Sequence, residues 1–117
     1  MAEFQEKSTI VRREQLTAEV VRLTLHCPRI AAAAQPGQFV MVRAGATLDP
    51  LLRRPFSIHK VSADGSLVIL FKVIGKGTRL LATAAPGDEL EVLGPLGRGF
   101  VPDPDGPHCL IGGGMGI

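Results

Sequence analysis

The residues best equipped for chemistry stand together in Leu51-Leu52-Arg53-Arg54-Pro55-Phe56-Ser57-Ile58. Within it a guanidinium, a rigid imino acid, an aromatic ring and a hydroxyl occupy consecutive positions. Successive strand side chains alternate between two faces, so Arg54 and Phe56 are expected on one side and Pro55 and Ser57 on the other or along the backbone. A planar fork of donors beside a flat apolar ring suits a ligand with both a phosphate and a planar ring, as a dinucleotide has. An edge strand with an exposed arginine and a core phenylalanine fits the same residues.

A second candidate is Gly75-Lys76-Gly77-Thr78, a loop opening onto Arg79-Leu80-Leu81-Ala82-Thr83, the clearest helix start in the chain. Thr78 is of the N-cap type, and Leu81 at the third helical position makes no capping box, which leaves first-turn amides open to an anion. A capped surface helix after a glycine turn is the plainer reading. A third candidate is His108-Cys109-Leu110-Ile111 running into Gly112-Gly113-Gly114-Met115-Gly116-Ile117. A short apolar strand ahead of a glycine cluster is how a dinucleotide-binding α/β domain begins, and a bare glycine-rich tail is the alternative. No catalytic side chain and no metal ligand is expected. His26, His59 and His108 match no metal or triad spacing, and Cys27 and Cys109 form neither a zinc site nor a CxxC pair. Two cysteines cannot hold a four-cysteine iron–sulfur cluster.

The elements that must position these residues read as short strands between glycine and proline punctuation. The chain has 117 residues, 45% hydrophobic and 21% charged, which fits one globular domain with a real core. Thirteen Lys and Arg against eleven Asp and Glu are spread without a basic block, so nucleic acid is not indicated. The start carries Glu3, Glu6 and Lys7 and no apolar run, and Leu67 to Phe71 is too short to span a bilayer, so a cytoplasmic, membrane-free protein is expected. Weak alternation over 4–13 precedes a clear strand over 19–27, with Val21, Leu23, Leu25 and Cys27 on one face. After a possible helical turn at 30–34, Pro36-Gly37 leads to a strand over 38–43, and the loop 44–50 leads to one over 54–61. Ala63-Asp64-Gly65-Ser66 reads as a hairpin turn into a strand over 67–74, and Pro86-Gly87-Asp88 as a turn into a last strand over 89–93. The following Gly94-Pro95-Leu96-Gly97-Arg98-Gly99-Phe100 is too glycine-rich for a strand interior. The expected fold is all-β: a closed six-stranded antiparallel barrel with one short helix over 1–101, then a linker over 102–107. Residues 108–117 are expected to be the first strand and glycine loop of an α/β domain that the chain does not complete.

Taken in order, Arg54-Pro55-Phe56-Ser57, Leu70-Phe71-Lys72, Gly77-Thr78 at a helix start and the glycine cluster after a short strand resemble the ferredoxin reductase-like flavoprotein family. Leu51 to Ile58, Gly75 to Leu81 and Leu93 to Phe100 are most similar to electron-transfer subunits of the NAD-dependent dihydroorotate dehydrogenase type. The resemblance implies a Greek-key barrel that binds FAD, followed by an NAD(H)-binding domain and a cysteine-rich tail holding a [2Fe-2S] cluster. It places Arg54 on the FAD pyrophosphate, Phe56 against the flavin ring where many relatives have tyrosine, and Ser57 near flavin N5, with Pro55 fixing the backbone between. Leu70, Phe71 and Lys72 would offer backbone groups to the ribityl chain and ring edge. Lys72 would add a positive charge near phosphate or stand as a solvated strand lysine, and Gly77 and Thr78 would bring helix amides to the pyrophosphate. The implied activity is flavin-dependent NAD(P)H oxidoreduction, as the component that exchanges electrons with a catalytic dihydroorotate dehydrogenase-type subunit. The alternatives are a reductase subunit of the sulfite reductase or hydrogenase type, or a non-enzymatic barrel that binds an oligonucleotide or protein. A homodimer through the face that a second domain would cover is a further expectation.

Overall fold

The computed structural model describes residues 3–44 and 53–114. Residues 1–2, 45–52 and 115–117 lie outside the described residues, and with them Leu51, Leu52 and all but the first residue of the loop expected at 44–50. Six antiparallel strands close into a barrel: β1 (Phe4–Gln15), β2 (Val20–His26), β3 (Phe39–Ala44), β4 (Arg54–Val61), β5 (Ser66–Lys72) and β6 (Glu89–Leu96). Around the barrel the order is β1-β2-β5-β4-β3-β6. β4 and β5 are neighbours, as the hairpin signal requires, with Gly65 at φ 89° and the Ser66 amide donating to Asp64 Oδ1 at 3.0 Å.

The inner face follows from alternation. Val21, Leu23 and Leu25 of β2 and Leu67, Ile69 and Phe71 of β5 turn inward, meeting Ile10, Val40, Val42, Phe56, Leu90 and Val92 from the other strands. Closure satisfies the strand edges that an open sheet would expose.

Among the described residues two helices accompany the barrel where one was expected. α2 (Lys76–Ala82) is the anticipated one, and α1 (Pro28–Ala33) grows from the possible turn at 30–34. Pro28 supplies the preset φ of a first helical residue, and no residue near it caps the helix. Glu6 of β1 does so from across the fold, its Oε1 accepting the Ile30 amide at 2.8 Å. Buried Ile30 and Ala31 then join the core.

Two boundaries also differ. β6 runs through Gly94 and Pro95 to Leu96, because β3 lies so close that a Cβ on Gly94 would stand 2.9 Å from Val40 Cγ1. Glycine is there for contact, not to end the strand. Beyond it, the Gln38 amide donates to the Gly97 carbonyl at 2.9 Å and the Phe100 amide to Pro36 O at 2.8 Å. These bonds tie 97–100 to the turn before β3. Residues 108–111 form neither strand nor helix, and Leu110 and Ile111 are exposed. A strand needs a paired neighbour, and no described residue supplies one.

Candidate functional site

β4 belongs to two ladders, each for half its length. Arg54, Pro55, Phe56 and Ser57 pair with Val42, Met41, Val40 and Phe39 of β3. Pairing with β5 begins only at Ile58↔Ile69, next to a register irregularity. Among the described residues no pair joins 54–57 to 70–72, and Leu70, Phe71 and Lys72 are held on their other side by Arg22, Val21 and Val20 of β2. The barrel wall is therefore parted at one end, where β4 enters and β5 leaves. Pro55, which has no N–H to offer a ladder, stands in the parted half.

α2 follows directly on this end of β5 and brings Gly77 against Arg54. An ideal Cβ on Gly77 would lie 3.0 Å from Arg54 Nε and 3.3 Å from its Cγ. The arginine arm thus rests on bare helix backbone. The neighbouring arginine is occupied elsewhere: Arg53 Nη2 lies 3.8 Å from Glu91 Oε2, a carboxylate that Arg43 also approaches at 3.5 Å. Arg54 is exposed and forms no ion pair among the described residues. Of two adjacent guanidiniums, only Arg54 is uncommitted at the parted end.

The remaining candidates divide by face. Pro55 and Ser57 are exposed. Phe56 shares the parity of Arg54 but not its surroundings, being 8% exposed with its ring edge-on to Phe71 at 5.5 Å and 60°. The expected open face of guanidinium beside aromatic ring is thus corrected. The inner side of a barrel is dry, so Phe56 packs inward, whereas Arg54 sits at the strand end and its long arm leaves the same face. Phe71 is likewise a core residue and Leu70 half-buried. Lys72 points outward, its ammonium 3.4 Å from Glu19.

Thr78 is not the N-cap. The helix starts at Lys76 after Gly75, whose φ of 142° is open to glycine. The Thr78 hydroxyl instead accepts the Ile74 amide at 2.8 Å and donates to the Gly75 carbonyl at 3.2 Å. Sequence reasoning singled out Gly77, and the structure adds its close approach to Arg54, which joins residues 23 positions apart. Surface clefts of about 390 Å³ beside Pro28 and Gly65 and about 380 Å³ beside Gln38 and Arg98 lie away from these residues and carry none of them.

The model of a family described as the oxidoreductase FAD-binding domain matches residues 7–100. The chain belongs to that family. Among curated relatives, dihydroorotate dehydrogenase B (NAD(+)), electron transfer subunit, of Desulforamulus reducens is 55% identical over 91 residues, covering 76% of this chain and 35% of that protein. The subunit of the same name from Geobacillus thermodenitrificans is 39% identical over 117 residues, covering 97% and 46%. The chain therefore spans less than half the length of these relatives. A solved NADH-dependent reduced ferredoxin-NADP oxidoreductase is similar at a TM-score of 0.74 and 29% identity, over 80% of this chain and 34% of that one.

In a FAD-binding domain the parted barrel end has the right chemistry for the cofactor's pyrophosphate. An uncommitted guanidinium offers a planar fork to two phosphate oxygens, and a helix residue without a Cβ lets backbone come close beside it. Among the described residues no group of three or more His, Cys, Asp or Glu could hold a metal ion. No described helix is long and apolar enough to cross a membrane.

Proposed function

We propose that this chain is the FAD-binding part of an electron-transfer subunit that passes electrons between NAD(H) and a catalytic dihydroorotate dehydrogenase-type partner in the cytoplasm. The observation that carries the FAD reading is the uncommitted Arg54 lying on Gly77 where β4 and β5 part. The relatives' names support the partner and the nicotinamide.

In this reading FAD supplies the redox chemistry, and the chain supplies binding and orientation. Arg54 takes the pyrophosphate with Gly77 backbone beside it. Ser57, exposed one residue beyond buried Phe56, presents a hydroxyl that serves as donor or acceptor toward flavin N5. Pro55 stiffens the backbone between them. Phe56 and Phe71 act from behind, as the packed floor that fixes β4 and β5 at their divergence. Leu70 and Lys72 contribute main-chain groups left free of the β4 ladder, and the Lys72 ammonium serves Glu19. Residues 1–101 are the FAD-binding unit and 102–107 a linker. The stretch 108–117 leads toward the NAD(H)-binding part of the longer subunit, to which the [2Fe-2S] ligands also belong.

The experiment is a flavin titration. Purified chain mixed with FAD should show saturable quenching of flavin fluorescence and a yellow colour that survives gel filtration. Wild-type protein that takes up no FAD under any of these conditions would refute the assignment. Co-purification with the catalytic subunit, set against sulfite reductase and hydrogenase subunits, tests the partner.

A further inference from the structure

Arg13 places a cation on the core-facing side of a strand. β1 pairs Arg13 with Leu23 and Gln15 with Val21, and directly paired residues point to the same side of a sheet. Leu23 and Val21 are fully buried, so Arg13, half-buried, and Gln15, exposed at the strand end, lie on the interior side. Glu14 takes the other side and pairs there with Arg22 at 2.6 Å. A guanidinium turned inward is costly unless it is bonded, and this one is. Arg13 Nε donates to the Ala82 carbonyl at 3.0 Å and Nη2 to Gln15 Oε1 at 2.8 Å.

The Ala82 carbonyl is the last of α2, and the final carbonyls of a helix have no partner within it. The Thr83 and Ala84 amides turn back to Leu80 and Leu81 at 3.1 and 3.2 Å, which leaves Ala82 to Arg13, 69 residues earlier. The cation also meets the negative end of the helix dipole. Seven residues are too few to hold a helix in place by themselves, so its attachments set where α2 lies. β5 leads into one end, and buried Leu81 and Arg13 hold the other. Between them stands Gly77, where a Cβ would come within 3.0 Å of Arg54 Nε.

We infer that Arg13 is a positioning residue for the pyrophosphate site: by holding the last carbonyl of α2 it sets the tilt of the helix, and with it the seat that Gly77 gives Arg54. The inference rests on the reading of Arg54 and Gly77 as that site. At a rise of about 1.5 Å per residue Gly77 lies about 6 Å from Leu81, so a tilt of about 5° around that buried residue moves Gly77 by about 0.5 Å. A shift of that size undoes a contact this close.

The test uses the full chain with Arg13→Met and Arg13→Gln, each alone and combined with Arg54→Ala. Methionine keeps the apolar arm without a donor, whereas glutamine puts an uncharged N–H at the same distance along the side chain as Arg13 Nε. FAD affinity is read by fluorescence titration on protein that circular dichroism shows to be folded. Arg13→Met should weaken FAD binding about tenfold, as expected from losing one hydrogen bond to a charged group. Arg13→Gln should return it to within about threefold of wild type. In the Arg54→Ala background Arg13→Met should change affinity by less than about twofold, because no guanidinium is left to lose its seat. Unchanged affinity in Arg13→Met overturns the inference. So does an equal loss with and without Arg54, which would make Arg13 a support of the barrel and not of that seat. A loss that glutamine shares in full would come from the charge alone, and overturns it too. If Arg13→Met does not fold, Gln15→Leu takes its place, since it removes the oxygen that steers Arg13 Nη2. A loss of about threefold is then expected, and none would overturn the inference. A wild-type chain that takes up no FAD removes the site reading itself, and the inference with it.

Discussion

Replacing Gly77 with alanine perturbs the proposed pyrophosphate site through one added carbon. The ideal Cβ falls 3.0 Å from Arg54 Nε, 3.3 Å from Cγ and 3.6 Å from Cδ, and all three neighbours belong to a flexible arm, not to backbone. The φ of Gly77 lies outside the left-handed region, so alanine adopts the same backbone without strain. Alanine in a helix is better than glycine by up to about 1 kcal/mol, which offsets the small cost of moving the arm. Thermal stability should therefore stay within about 1 kcal/mol of wild type. Affinity for FAD should not survive as well. A guanidinium pushed off its seat loses one charge-assisted hydrogen bond worth about 1.5–3 kcal/mol, or roughly 10- to 100-fold in Kd. Fluorescence titration and a thermal melt of the same protein separate the two effects. The decisive control is the double variant, because in an Arg54→Ala background Gly77→Ala has no arm to displace and should be silent. Unchanged FAD affinity in Gly77→Ala, or additive effects in the cycle, would refute the coupling of Gly77 to Arg54.

Arg54→Ala should weaken FAD binding by roughly 2 to 4 kcal/mol in the same titration, whereas Arg53→Ala, whose guanidinium faces Glu91, should change it by less than about 0.5 kcal/mol. Gly65→Ala should lower the folding free energy by about 1–3 kcal/mol in a urea melt, since Gly65 has φ 89° and its Cβ would stand 2.9 Å from Pro28 Cβ. Burial pushes the Cys27 thiol up to about 11 from 9.0. The folded-state value is the raised one, so the unfolded chain loses its thiol proton first. The stabilisation is complete below pH 9 and is lost as the pH rises toward 11, by up to about 2–3 kcal/mol. Cys27→Val, which cannot titrate, should flatten that alkaline limb, and a limb as steep as wild type would remove Cys27 as its cause. A thiol reagent at neutral pH should meanwhile react at once with exposed Cys109 and reach buried Cys27 only on unfolding.

Alternation and turn chemistry are local properties, and they carried most of the barrel. The inward set of β2, the Asp64-Gly65 hairpin and the Gly87 turn each depend on residues within a few positions of one another. Hairpin spacing and a count of six strands then left closure as the way to dispose of the edges. The order Arg54-Pro55-Phe56-Ser57 and Gly77-Thr78 was likewise enough to name the family and the residues worth examining.

Tertiary structure decided where those residues sit and what they touch, because each placement depends on a partner distant in sequence. α1 is capped by Glu6, 24 residues earlier, and no local pattern announces that bond. Strand parity put Arg54 and Phe56 on one face, but the closed barrel makes that face dry along its length and wet at its end, so one became core and the other stayed free. Arg53 and Arg54 are indistinguishable as letters. Glu91 on β6 claims the first, and only the parted end of β4 and β5 leaves the second available beside Gly77. Thr78 has the composition of a cap, and the hydrogen bonds that hold its hydroxyl exist only once β5 has turned into α2.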